Sequence, residues 1–355
     1  LEITMKTPDT YRRPAEWEAH EATLLAWPAN PMDWPGKFAP IHWVYSEIVR
    51  HIATHEPVLL IVQDAAHEKR VRGMLAKAHA DLSQITFVQQ QTDRGWMRDT
   101  SPEFVVRGEG AARERAAVQF KFTGWAKYDN WQRDAKIPAR IAKEIGVPLR
   151  AATLGKKPVV LEGGGIDGNG RGSLLTTEEC FLDQQTQVRN PGFTKADYAA
   201  AFRDHLGVSN LIWLGHGIAG DDTHGHVDDL CRFVNKNTIV LCQEPDGGDA
   251  NHRPLAENWE RLQSARLENG KRPEVIALPM PQPLIFDGTR LPASYANFYI
   301  TNGSVLVPTF NDPKDRVALG ILAELFPDRE VRGIHATDLV WGFGTLHCLS
   351  HEIPA

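Results

Sequence analysis

TKADYAAAFRDHLG (residues 194–207) followed by NLIWLG (residues 210–215) reads as an amphipathic helix that runs, through a glycine, into a short apolar strand. Thr194 is a helix-capping residue, and the apolar positions after it recur at three- and four-residue spacing. The same order appears four more times. It is found as AAHEKRVRGMLAKAHA (65–80) with ITFVQQ, RDAKIPARIAKEIG (133–146) with VPLRAA, HRPLAENWERLQSARLE (252–268) with EVIALPM, and PKDRVALGILAELF (313–326) with REVRGI. Successive helix starts lie 68, 61, 58 and 61 residues apart, a period near 60. Asp64 before the first helix, and Asp312 with Pro313 at the last, are further start signals. Between units lie strand pairs such as FVV (104–106) with AAVQFKF (116–122), or CRFV (231–234) with TIVLC (238–242). Gly, Asp and Asn cluster at the turns, as at Asp246-Gly247-Gly248 and Asn302-Gly303. One such unit cannot bury both its faces, so five copies must pack together, as a ring or as a stack. No linker rich in Pro, Gly or Ser divides the chain, and residues 1–355 read as a single α/β domain.

Composition narrows the classes. Lys and Arg number 39 against 45 Asp and Glu, a net charge of −6 over 355 residues, with 42% hydrophobic and 24% charged positions. This balance belongs to a globular chain with a sizeable core, and it argues against a disordered chain or a dedicated nucleic-acid binder. No apolar run reaches the ~18 residues that would span a membrane. LEITMKTPDT lacks the basic-then-apolar order of a secretory signal, so the expected location is the cytoplasm, with Met5 as the natural start. Cys180, Cys231, Cys242 and Cys348 form no CxxC pair and read as reduced thiols. Oligomeric state is left open.

Chemistry-bearing side chains recur after the repeat strands. Asp99 lies 34 residues beyond its helix start, Glu162 29, His226 32 and Cys348 35, whereas Asn297 lies further out at 45. Closure into a ring would bring these positions to one axis. Each has a plainer reading. Asp99 could pair with neighbouring Arg98, Glu162 could end a strand before its three glycines, and Cys348 could be a buried inert thiol. Recurrence at comparable points is what favours a shared pocket. His224, His226, Asp222 and Asp228 alternate in a way that could also hold a divalent cation, although no second zinc-type motif accompanies them. A metal-dependent hydrolase is therefore a remote alternative, and a scaffold with vestigial side chains another.

Four motifs carry a resemblance: Trp96-Met97-Arg98-Asp99, Leu161-Glu162-Gly163-Gly164, residues 220–228 (GDDTHGHVD) and residues 342–348 (GFGTLHC). Together with Trp27-Pro28, residues 120–125, Asn190-Pro191 and residues 295–299, they resemble the agmatine deiminase / bacterial peptidylarginine deiminase family from about Pro14 to Cys348. The resemblance implies a five-bladed α/β propeller of pseudo-symmetric ββαβ repeats. It implies Cys348 as nucleophile, His226 as general acid and base paired with Glu162, and Asp99 and Asp228 as holders of a guanidinium group. The implied reaction is hydrolytic deimination of a small cationic guanidine, most simply agmatine to N-carbamoylputrescine and ammonia, without metal or cofactor. Peptidyl-arginine or free arginine is the rival substrate. The chemistry is coherent, since paired carboxylates suit planar guanidinium donors and a thiolate suits its poorly electrophilic carbon. Aromatic residues, Trp27 and Trp96 foremost with Trp34, Phe38 and Trp125, are expected at the entrance, where an ammonium tail gains cation–π attraction. Arg98 and Lys127 are the nearest cations able to clamp a carboxylate, Arg98 more simply as a structural partner. Cys180, Cys231 and Cys242 are expected to be dispensable. The chain departs from the family pattern at Phe343, Thr345, Ser101 and residues 29–35, which touches the tail-reading part of the pocket.

Overall fold

The computed structural model describes residues 10–355, so Met5 and the rest of residues 1–9 lie outside the described residues. The fold is α/β. Four three-stranded sheets repeat one topology: two antiparallel strands, then a helical crossover to a third strand parallel to the second. Their strands are Glu103–Arg107, Glu114–Gln119 and Leu149–Ala151; Asp167–Gly168, Ser173–Thr177 and Asn210–Leu214; Cys231–Phe233, Thr238–Gln243 and Glu274–Pro279; Tyr299–Ile300, Ser304–Thr309 and Glu330–His335. The crossover helices are Ile137–Glu144, Lys195–Leu206, His252–Ser264 and Asp315–Leu325. Thr194 makes a reciprocal capping box with Asp197, and Gly207 ends that helix in the left-handed conformation at φ 68°.

A fifth sheet has the same order but takes its first strand from the other end of the chain. Ser350–Pro354 pairs antiparallel with His20–Ala26, which runs parallel to Val58–Val62 through the helix Phe38–Ile52. The helix Ala65–Lys77 and strand Ile85–Gln89 are an addition at that sheet's edge. This corrects the sequence reading, which took Ala65 as the start of the first repeat's helix. The equivalent helix is Phe38–Ile52, whose Trp43 is 80% exposed although apolar residues also fill its inner face. That helix starts after Lys37 with no capping side chain and carries Pro40 in its first turn, so it lacks the start signal that Asp64 gives to Ala65–Lys77. Val58–Val62 and Ser173–Thr177 are buried along their whole length, and the middle of each second strand is buried as well, anchoring the cores between helices and sheets. Among the described residues, no helix is long and apolar enough to cross a membrane.

The segment entering each unit's first strand positions the site. Asp99 lies on the short helix Met97–Thr100 ahead of Glu103, and Glu162 caps the turn Gly163–Gly165 ahead of Asp167. His226 and Asp228 flank the start of the turn Val227–Asp229 ahead of Cys231, Asn297 precedes Tyr299, and Cys348 lies on Leu346–Leu349 ahead of Ser350. Counted from that strand, Asn297 falls in step with the others. Its displacement in the helix count comes from an added hairpin, Ile285–Phe286 with Thr289–Arg290.

Candidate active site

Cys348 and Asp99, each 5% exposed, are the innermost side chains lining a pocket walled by Trp96, Trp125, Tyr128, Trp341 and Phe343. Glu162, His226 and Asp228 are completely buried beside them. Gly164 lets these groups meet, because a Cβ there would lie 2.6 Å from His226 Nδ1, 3.0 Å from Asp99 Oδ1 and 3.1 Å from Asp228 Oδ1. Asp99 accepts from Trp125 Nε1 at 2.8 Å and from the Gly164 N–H at 3.0 Å. His226 stands between two acids, Nδ1 3.8 Å from Asp99 and Nε2 3.7 Å from Glu162, beyond hydrogen-bond length to either. Arg189 fixes Glu162 at 3.2 Å. Asp228 Oδ2 is 2.6 Å from His347 Nδ1, and His347 Nε2 is 2.8 Å from Glu16, which also binds Arg232 at 2.9 Å. Asn297 donates to Cys348 Sγ at 3.0 Å and to Asp229 at 2.9 Å, while Thr345 Oγ1 donates to its amide oxygen at 2.8 Å.

Five buried polar atoms here lack a hydrogen-bond partner: Glu162 Oε1, both ring nitrogens of His226, Asp228 Oδ1 and Asp229 Oδ2. The electrostatics follow from burial among acids. Burial opposes a charged His226 ring, but Asp99, Cys180 and Glu162 outweigh it and raise the pKa well above the usual imidazole value, which favours the protonated ring. Burial, reinforced by Asp228, Asp229 and Asp99, pushes the Cys348 thiol well up, and the Asn297 N–H only partly offsets this. Burial raises Asp99 as well. For Asp228 and Glu162 burial is overcome, by His347 and Arg189 respectively, and both carboxyls are lowered.

The structure thus brings Cys348, His226, Glu162, Asp99 and Asp228 together, and Trp96 to the pocket wall. Trp27 is not there. It is 1% exposed, stacks on His42 at 5.8 Å and borders a separate cleft with Phe38 and His67, because its strand end faces the helix Phe38–Ile52. The proposed metal cluster does not converge either: His224 bonds Asp183 at 2.8 Å, and Asp222 is taken by Lys127 and by Tyr128 Oη at 2.7 Å. Two other trios do lie within ligand range, Glu162–Cys180–His226 and Asp228–Asp229–Cys348. In the first, Arg189 already supplies the positive partner of Glu162. Cys180, expected to be dispensable, lies beside His226. Arg98 is indeed a buried structural partner, 2.9 Å from Glu352. The pocket's cation is instead Arg94, which the sequence reading did not single out. His347 could have been noticed as the neighbour of Cys348, whereas Glu16, some 330 residues earlier, carries no local signal.

A buried thiol, an imidazole and several carboxylates around one pocket are the kind of side chains that a hydrolase of cationic amidines needs. The model of the Porphyromonas-type peptidyl-arginine deiminase family matches residues 12–354, and the chain belongs to that family. It is 34% identical to the agmatine deiminase of Pseudomonas aeruginosa (strain LESB58), over 98% of this chain and 96% of that protein. The solved agmatine deiminase of Enterococcus faecalis superposes with a TM-score of 0.89 at 27% identity, covering 99% and 98% of the two chains. A cysteine-to-serine variant of the C. jejuni agmatine deiminase, solved with substrate bound, gives a TM-score of 0.84 at 28% identity over 98% and 97%. The chain is accordingly a hydrolase acting on the carbon–nitrogen bond of a guanidino group.

Proposed function

We propose that this protein deiminates agmatine to N-carbamoylputrescine and ammonia, with Cys348 as nucleophile. The observation that carries the reading is the set of unpartnered acceptors at Glu162, Asp228 and Asp229, the first buried beside His226 and the other two beside the thiol. Each such atom costs on the order of 1–3 kcal/mol until a donor reaches it, and a guanidinium offers up to five N–H donors and a positive charge. Held by Asp99 and Asp228, the cation offsets the field that keeps the Cys348 proton in place, so the thiol releases that proton to solvent through the pocket and stands as thiolate when substrate is bound. The thiolate attacks the central carbon to give a tetrahedral adduct. Protonated His226, steadied by Glu162, gives its proton to the departing amino group, which leaves as ammonia. Neutral His226 then takes a proton from water, whose oxygen attacks the thiouronium carbon; collapse expels the Cys348 thiolate and yields the ureido product. Trp96 and Trp125 sandwich the methylene chain between apolar faces.

The wider reading is a single domain in which the five sheets form a propeller with these side chains at its axis, working in the cytoplasm on a small molecule, with neither nucleic acid nor membrane as partner. An assay of ammonia and ureido product from agmatine, L-arginine and a peptide ending in arginine tests the substrate assignment. Agmatine is expected to have the highest kcat/KM, and an equal or higher value for either arginine compound would overturn it.

A further inference from the structure

We propose that Asp33 reads the tail of the substrate, its second carboxylate oxygen receiving the ammonium of agmatine while Arg94 holds the first; this rests on the agmatine reading above. Asp33 ends the turn Pro31–Asp33, whose geometry is set by Asn30 Oδ1 accepting from the Met32 N–H and by Pro31. Its side chain is only 2% exposed, yet it lines the same pocket as Asp99 and Cys348. Oδ1 accepts from Arg94 at 2.8 Å and from Asn30 Nδ2 at 3.4 Å, and Oδ2 is buried with no partner. Three acids line the pocket. Asp99 is engaged by Trp125 and Gly164, and Asp222 by Lys127 and Tyr128, which leaves Asp33 Oδ2 as the carboxylate oxygen of these three acids without a hydrogen-bond partner.

Arg94 is too well fixed to serve both oxygens. Its guanidinium lies 3.6 Å from the Tyr128 ring centre, its Nε donates to Asn130 at 3.1 Å, and its backbone N–H is held by Asp134 at 3.0 Å. The same guanidinium is 5.9 Å from the ring centre of Trp125, whose Nε1 binds Asp99. One wall therefore runs from the guanidinium-holding acid to Asp33, with an aromatic surface between them for a methylene chain. An ammonium at the far end meets a carboxylate oxygen in a dry site, where the pairing is worth more than in water. The chain carries Asp33 in the stretch where it departs from the family's sequence pattern. Facing Asp33 are Arg94, Asp134, Trp96 and Tyr128; burial pushes its carboxyl up to about 7, with Arg94 pulling down, Asp134 pushing up and the nearby indole N–H of Trp96 pulling down a little. Below that pH the acceptor gains a proton, so KM for agmatine should rise on the acid side more steeply than KM for a guanidine with a neutral tail.

The test compares agmatine with pentylguanidine, which has a methyl group in place of the ammonium. Asp33→Asn should lower kcat/KM for agmatine on the order of tenfold more than for pentylguanidine, mainly through KM. Arg94→Gln removes a positive charge near the ammonium and should raise the agmatine-to-pentylguanidine ratio, the opposite of what general damage to the pocket would do. Equal losses on both substrates, or a wild-type enzyme that treats the two alike, would overturn the assignment and leave deimination standing. A wild-type preference for L-arginine that is lost in Arg94→Gln would overturn it too, making Arg94 a carboxylate clamp. Failure of the wild type on every guanidine would instead overturn the proposed function, and this inference with it.

Discussion

Gly164 is the residue on which the geometry of the site most depends, though it bears no chemistry. Its backbone N–H holds Asp99, and its missing Cβ leaves room for the His226 ring and the Asp228 carboxylate. Gly164→Ala is expected to reduce kcat at least a hundredfold by displacing those side chains and to lower stability by ~1–3 kcal/mol through overpacking, with no added cost from backbone strain because its φ is not in the left-handed range. Steady-state kinetics and urea unfolding of the variant check this; near-normal kcat would mean the three groups need not meet there. Phe343 shows the reverse economy. It holds φ 65°, a left-handed conformation costing a non-glycine residue ~1–2 kcal/mol, at a position where the family pattern has a small residue. The side chain so placed lines the pocket and packs on Trp341. At this scale Cys348, His226, Glu162, Asp99 and Asp228 were legible from motif and recurrence. Asp33, Arg94 and Glu16 were not, because their importance comes from neighbours far away in the chain.

At the scale of elements, the closing strand Ser350–Pro354 pairs with His20–Ala26 immediately after Cys348 in the chain. Its Glu352 is buried with Arg98 at 2.9 Å and Arg13 at 3.8 Å. Burial alone would raise its pKa, but Arg98 and His351 prevail and lower it to about 2. A carboxyl depressed in the folded state contributes stability that is present above its ordinary pKa, near 4.5, and lost as pH falls from there toward 2. That contribution is on the order of 3 kcal/mol. Urea midpoints measured between pH 2 and 5 should fall less steeply in Glu352→Gln than in the parent, and the variant should already be weaker at pH 7. Parallel curves would place the acid sensitivity elsewhere. The elements themselves were mostly readable, because helices such as Lys195–Leu206 carry both cap signals and clean spacing. Phe38–Ile52 escaped because no capping side chain marks its start, where Lys37 stands in the place that Asp64 and Thr194 take in other helices. The pairing of Ser350–Pro354 with His20–Ala26 escaped because no local pattern reports contact across the full chain.

For the molecule as a whole, each of five similar units delivers a polar group at the mouth of its first strand, and the five groups meet. No unit holds enough to act alone. The period near 60 pointed to this arrangement in the sequence, although its first interval was distorted by the added helix Ala65–Lys77 and its strand. The central claim, that Cys348 bonds to the guanidino carbon, is tested most directly by acid-quenching the enzyme during turnover of agmatine and weighing the intact protein and its peptides. The account predicts a mass gain equal to agmatine less ammonia, confined to the peptide containing Cys348 and absent in Cys348→Ala, which should also show no turnover. An adduct on another cysteine, or sustained ammonia release by Cys348→Ala, would contradict it.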